Sequence, residues 1–168
     1  MKTTKIAIWV FLTIGFFIGC SDDDADNDGL ALTDQSIFQK LKETGYTTVG
    51  HSGDTLPAMG PHSGYILVKF NKIASASLND SMILPINKAL PQGSMVVKEI
   101  YNKKGGVLSL YAIMLKDSTH VNSKNGWIWA EYNPDGSAAY SISNKGAGCV
   151  FCHAESPSRD NLKLFDAH

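Results

Sequence analysis

The sequence predicts an α+β fold that is mainly β: an antiparallel sheet with a few short flanking helices. Three observations predict it. Runs rich in Val, Ile, Tyr and Trp recur at Tyr65 to Phe70, Ser94 to Tyr101, Val107 to Leu115, Gly126 to Tyr132 and Ala138 to Ile142, and have the length and composition of strands. Turn signals join successive runs, at Lys103-Lys104-Gly105-Gly106 and Asn133-Pro134-Asp135-Gly136, which makes hairpins and so antiparallel pairing. Helical spacing is confined to short stretches. With 43% hydrophobic and 10% aromatic residues among 168, the chain can bury one core, which suits a single domain after its leading segment.

That leading segment reads as an export signal over residues 1–19. Lys2 and Lys5 give the positive start, and Ile6 to Ile18 give an apolar stretch of 13 residues, short of the roughly 20 that a membrane span needs. It ends in Phe17-Ile18-Gly19-Cys20, which resembles a bacterial lipobox, with Cys20 as the lipidated new N-terminus. Residues 20–32 then form a tether. The run Asp22-Asp23-Asp24-Ala25-Asp26-Asn27-Asp28 is too polar to fold alone and lacks the regular spacing and closing Glu of a calcium loop. The expected location is a membrane-anchored lipoprotein facing the periplasm or the cell surface.

The domain expected over residues 33–168 begins with a helix, Thr33 to Thr44. Thr33 or Asp34 caps it, Ile37, Phe38 and Leu41 form its apolar stripe, and Gly45 ends it. Tyr46 to Gly64 is rich in Gly, Pro, Ser and Thr and reads as a long loop carrying His51, Met59 and His62. After the first strand, Ile73 to Leu78 and Met82 to Leu90 read as short helical or turn segments. On the next strand, alternation puts Val96, Lys98 and Ile100 on one face and Met95, Val97, Glu99 and Tyr101 on the other. Trp127 and Trp129 share a face of a later strand, and Arg159 to Phe165 reads as a short closing helix. Without residues 1–28 the chain holds 13 basic and 11 acidic residues, a balance that gives no argument for nucleic acid.

The chemistry is concentrated in Cys149-Val150-Phe151-Cys152-His153. C-x-x-C-H is the attachment sequence of a covalent c-type haem. Two thiols three positions apart can each add to one vinyl group of a porphyrin, and the histidine that follows can bind the iron as proximal ligand. A redox dithiol, half a zinc site and a short disulfide are the rivals. A loop, Lys145 to Gly148, precedes the motif in place of a strand, and no second Cys/His pair accompanies it. One covalent haem c with iron is therefore expected, held by Cys149, Cys152 and His153. With Cys20 lipidated, all three cysteines are accounted for.

Pro91-Gln92-Gly93-Ser94 leading into Val97-Lys98-Glu99, then Trp127 and Trp129, Asn133 to Gly136 and Cys149 to His153, in this order, resemble the cytochrome P460 family. Pro61-His62-Ser63-Gly64 and Asn71-Lys72-Ile73-Ala74 match its early motifs. The resemblance spans about residues 46–168. It implies a mainly β fold, often dimeric, with one haem c whose iron is open on the distal side. It implies either a hydroxylamine-oxidising P460 enzyme, with a lysine bonded to the haem edge, or a β-type cytochrome c′ that binds gases such as nitric oxide. By motif the cross-linking lysine falls on Lys98. Where the enzymes carry a distal arginine, this chain has Ile66 or its apolar neighbours, which favours neutral diatomics. Glu99, Glu131 and His120 are candidate proton acceptors. Expected partners are a small diatomic or nitrogen oxide, a redox protein, the membrane through the anchor, and a second copy of the chain. A six-coordinate electron carrier is the alternative. It requires a sixth ligand from Met59, Met95, Met114, His51 or His62.

Overall fold

The computed structural model describes residues 31–43, 45–49, 55–58 and 60–165. The export signal, Cys20, the acidic tether, His51 and Met59 lie outside the described residues. The chain divides into two units, Met1–Ala31 and Leu32–His168, and every described element lies in the second.

One antiparallel sheet dominates that unit. Its strands are β1 (Thr47–Val49), β2 (Leu56–Pro57), β3 (Tyr65–Phe70), β4 (Met95–Tyr101), β5 (Leu108–Lys116), β6 (Trp127–Tyr132) and β7 (Ala138–Tyr140). The order across the sheet is β1-β3-β4-β5-β6-β7, and β2 pairs with β3 beside β1. The expected mainly β, α+β architecture is what the chain adopts. The middle strands follow the hairpin turns in sequence, so neighbours in the chain are neighbours in the sheet.

The two faces of the sheet are covered differently. Helix α1 (Asp34–Leu41) lays Ile37, Phe38 and Leu41 on one face, against Met95, Val97, Ile113, Leu115, Ile128, Ala130 and Tyr132. Thr33 caps α1 through a reciprocal bond with Ser36. Asp34 ties the helix to the end of the sheet, accepting from Tyr132 Oη–H at 3.0 Å, Ser141 Oγ–H at 2.6 Å and the Ile142 N–H at 3.0 Å. The opposite face carries Val68, Phe70, Val96, Met114, Trp127 and Trp129, packed under Ala74, Leu84, Leu90 and Leu162. The period-2 split read from Met95 to Tyr101 is thus realised.

Three expectations change. Part of the Tyr46 to Gly64 loop becomes β1 and β2, because the free edge of β3 offers backbone partners to Thr47–Val49 and Leu56–Pro57. In the segment after β3 only α2 (Lys72–Ser75) is helical. Pro85 and the left-handed Met82 and Asn87 (φ 58° and 59°) keep residues 82–90 irregular. The closing helix is replaced by two 3-10 turns, Pro157–Arg159 and Lys163–Phe165. The left-handed pair Asp160 and Asn161 separates them. Among the described residues no helix is long and apolar enough to cross a membrane.

Candidate haem site

The C-x-x-C-H motif forms a short helix of its own, α3 (Cys149–His153). The Gly146 carbonyl starts it, accepting from the N–H groups of Cys149 and Val150 at 3.0 and 3.1 Å. Gly146 has φ +70°, and a β-carbon there would sit 2.5 Å from Trp129 Cδ1. No side chain fits between the motif and the sheet. In helical geometry positions i, i+3 and i+4 share a face. Cys149, Cys152 and His153 therefore present two thiols and an imidazole on one side, while Phe151 is 81% exposed on another.

The histidine is oriented from behind. Its Nδ1–H donates to the Asn161 carbonyl at 2.8 Å, which fixes the tautomer and leaves the Nε2 lone pair for a metal. Trp129 meets the ring edge-on, with centroids 4.8 Å apart. Burial pushes the His153 pKa below the ordinary histidine range, and the charges of Lys98, His62 and Lys163 lower it further, against the Asn161 bond. A neutral imidazole is the form that binds iron.

Cross-strand register assembles the rest. Lys98 pairs with Val68 on β3 and Ala112 on β5, Ala112 pairs with Glu131, and Glu131 pairs with Tyr140. Residues in register share a face, so Val68, Lys98, Ala112, Glu131 and Tyr140 form one row. Lys98 and Glu131 are two strands apart, roughly 10 Å at the usual strand spacing. The small Ala112 leaves the gap that His62 fills. Its Nε2 lies 3.2 Å from Glu131 Oε1 and its Nδ1 lies 3.4 Å from Lys98 Nζ. Gly64 (φ +112°) turns this loop into β3 where a β-carbon would strike the Tyr101 carbonyl at 2.4 Å.

The same row reaches the motif. Tyr140 stands beside the Cys149 thiol, and its Oη–H donates to the Ala147 carbonyl at 2.7 Å. Burial raises the Cys149 pKa, and the Glu131 charge adds to the rise. Tyr140, desolvated and beside Cys149, is pushed up to about 12. A catalytic dithiol needs the opposite shift, a thiol acidified by its surroundings. Both cysteines are free thiols. Among the described residues no three His, Cys, Asp or Glu side chains converge as a metal-ion cage.

The remaining candidates separate. Glu99 lies on the α1 face of β4, away from Lys98. It accepts from Lys69 Nζ at 2.6 Å and Tyr101 Oη–H at 2.7 Å, and lines a separate cavity of about 220 Å³ with Tyr46 and Lys69. His120 belongs to the loop after β5, where its Nδ1 accepts from the Asn122 N–H at 3.1 Å. Met95 is buried on the α1 face with Sδ 3.1 Å from Tyr46 Oη, so it is removed as a sixth-ligand candidate. Met114 is buried in the cluster on the motif side. Ile66 pairs with Ile100 and packs on that same cluster.

The Cytochrome P460 family model matches residues 58–163, which run from the loop before β3 to just beyond the motif. The chain belongs to the cytochrome P460 family. No curated protein matches it. Membership makes it a c-type haem cytochrome, and the residues present fit that group. The two thiols and the imidazole share a helix face, the imidazole has its second nitrogen satisfied, and apolar groups flank the motif on the sheet. For this cytochrome the sequence reading missed the joining of Lys98 and Glu131 through His62. Trp127, Trp129 and Glu131 alternate along β6, a period that already places Glu131 on the tryptophans' face.

Proposed function

We propose that the chain is a membrane-anchored monohaem cytochrome with an open iron face that binds nitric oxide or another small nitrogen oxide. Cys149 and Cys152 would hold the porphyrin by thioether bonds, and His153 Nε2 would be the proximal ligand. The haem supplies a redox-active iron able to bind a diatomic. The observation that carries the reading is the His153 tautomer: Nδ1–H is committed to Asn161, next to two free thiols on the same helix face.

The protein's own groups then divide by character. Lys98 is half-buried, and desolvation holds its pKa below the ordinary lysine range, against the raising pull of Glu131. Its place on the row that runs through Ala112 and Glu131 to Tyr140 and the motif suits Lys98 as the residue that lines or bonds the haem edge. Glu131 and His62, joined at 3.2 Å, can hold a proton at Nε2 beside it. Ile66, Val68 and Ile100 keep the neighbouring sheet surface apolar, which favours neutral ligands. Hydroxylamine oxidation is the enzymatic form of this reading and requires the Lys98 bond.

The optical spectrum of the loaded protein tests it. A high-spin ferrous spectrum that shifts with nitric oxide or carbon monoxide is expected. A low-spin spectrum indifferent to both gases would leave a six-coordinate electron carrier. Mass spectrometry of haem peptides tests Lys98: its segment must travel with Cys149–His153 if the bond exists. Cys20→Ser tests the anchor, and continued membrane association would reject it.

A further inference from the structure

A second buried polar cluster lies directly behind the motif. Asp160 and Asn161 are consecutive non-glycine residues in the left-handed region, with φ of +52° and +66°. Such residues cost roughly 1–2 kcal/mol each and persist where the surroundings hold them. Asp160 is held on every side. Its Oδ1 meets Lys116 Nζ at 2.6 Å, with side-chain exposures of only 9% and 11%. Its Oδ2 accepts from the Leu90 N–H at 2.8 Å, and its carbonyl accepts from Trp127 Nε1–H at 3.0 Å. The Lys116 ammonium sits 4.6 Å from the Trp127 ring centroid. The Asn161 N–H donates to the Ser156 carbonyl at 2.9 Å. The next acceptor along the chain is the Asn161 carbonyl, the group that holds His153 Nδ1–H.

A pair buried this deeply gains little net stability, since desolvation offsets most of the attraction. Its geometric effect is larger. We propose that the Asp160–Lys116 pair is a positioning device for the proximal imidazole. It pins the left-handed turn so that the Asn161 carbonyl stays aimed at Nδ1–H, and so sets how strongly His153 donates to iron. The inference rests on the haem reading above. A histidine whose second nitrogen donates to a well-placed acceptor is the more basic ligand, and losing such a partner costs about 10–100-fold in metal affinity. A stronger donor favours ferric over ferrous iron, so loosening the turn raises the potential.

The test uses the haem-loaded protein and two conservative variants. Asp160→Asn keeps the shape and the acceptor for Leu90 while removing the ion pair. Trp127→Phe removes the indole bond while keeping a ring beneath Lys116. In both, the iron–histidine stretch should fall in frequency. The ferric preference should drop about tenfold, a rise of about 59 mV for one electron. Glu99→Gln, at the ion pair on the other face, should change neither. Wild-type frequency and potential in both loaded variants would overturn the proposal. Should the single variants lose haem, Asp160→Asn with Lys116→Met removes both charges, and a wild-type potential there would overturn it equally. A wild-type protein without a haemochrome spectrum would sink the haem reading itself, before any variant is compared.

Discussion

Gly146→Ala is the sharpest test of how the motif is seated. The added methyl carbon meets Trp129 Cδ1 at 2.5 Å, Val150 Cγ2 at 2.9 Å and Trp129 Cγ at 3.0 Å, where ordinary carbon contacts lie near 3.5–4.0 Å. Trp129 has nowhere to retreat. It is 3% exposed, its Nε1–H is bonded to the Lys124 carbonyl at 3.1 Å, and its ring abuts His153. Overpacking of this kind costs roughly 1–3 kcal/mol. The left-handed φ of +70° adds roughly 1–2 kcal/mol for alanine, and stiffening of the unfolded chain returns about 0.4–1 kcal/mol. The net loss is about 1–4.6 kcal/mol, which for a domain of this size lowers Tm by roughly 3–18 °C. Thermal unfolding followed by circular dichroism reads it. Gly105→Ala is the control, because Gly105 has φ +64° and nothing within 4 Å. It carries the backbone cost alone. Equal melting temperatures for the two variants would refute the close packing of Gly146 on Trp129.

Glu99→Ala leaves Lys69 without its partner in a partly buried setting. It should cost about 1–3 kcal/mol, discounted for exposure, in denaturant titration, with no change in the haem spectrum; a spectral change would place Glu99 in the site after all. Asp34→Ala strands three donors, Tyr132, Ser141 and the Ile142 N–H. The expected loss is about 2–4 kcal/mol, read by the same titration. In chain expressed without haem attachment, the folded Lys98 pKa lies below the unfolded value of about 10.4. Between the two values the unfolded state binds more protons, so the Lys98 contribution to stability rises with pH. The stability of wild type relative to Lys98→Met should therefore grow as pH climbs towards about 10.4, and parallel curves would contradict the burial. In the same haem-free chain, Glu131→Gln removes a charge that raises the Cys149 pKa. Alkylation of Cys149 at fixed pH should speed up, and an unchanged rate would place Glu131 too far away to act.

The middle strands were legible because their signals are local. Met95 to Tyr101 is dense in β-branched and aromatic residues, and the glycine turns mark where strands reverse. The motif was legible for the same reason, since thiol, thiol and imidazole lie within five consecutive residues. What escaped depends on register. Lys98 and Glu131 are 33 positions apart, and only the pairing of both strands with Ala112 brings them onto one row. His62 joins them from a loop that no pattern assigns to that row. The Asn161 carbonyl is invisible to sequence reading, because any residue supplies a carbonyl. The strands β1 and β2 were missed because three and two residues are too few to show a period, and the edge of β3 decides them.

The face shared by Cys149, Cys152 and His153 also sets how this segment can change length. Each residue added to a helix turns everything beyond it by about 100° and advances it about 1.5 Å. One residue inserted after Cys152 would carry the imidazole off the thiols' side and break its alignment with the Asn161 carbonyl. The hairpin turn is exposed over Asn102 to Gly105 and can lengthen with little penalty. Lineages descending from this chain should therefore vary freely in length at the β4–β5 turn and hold the spacing from Gly146 to Asn161 fixed.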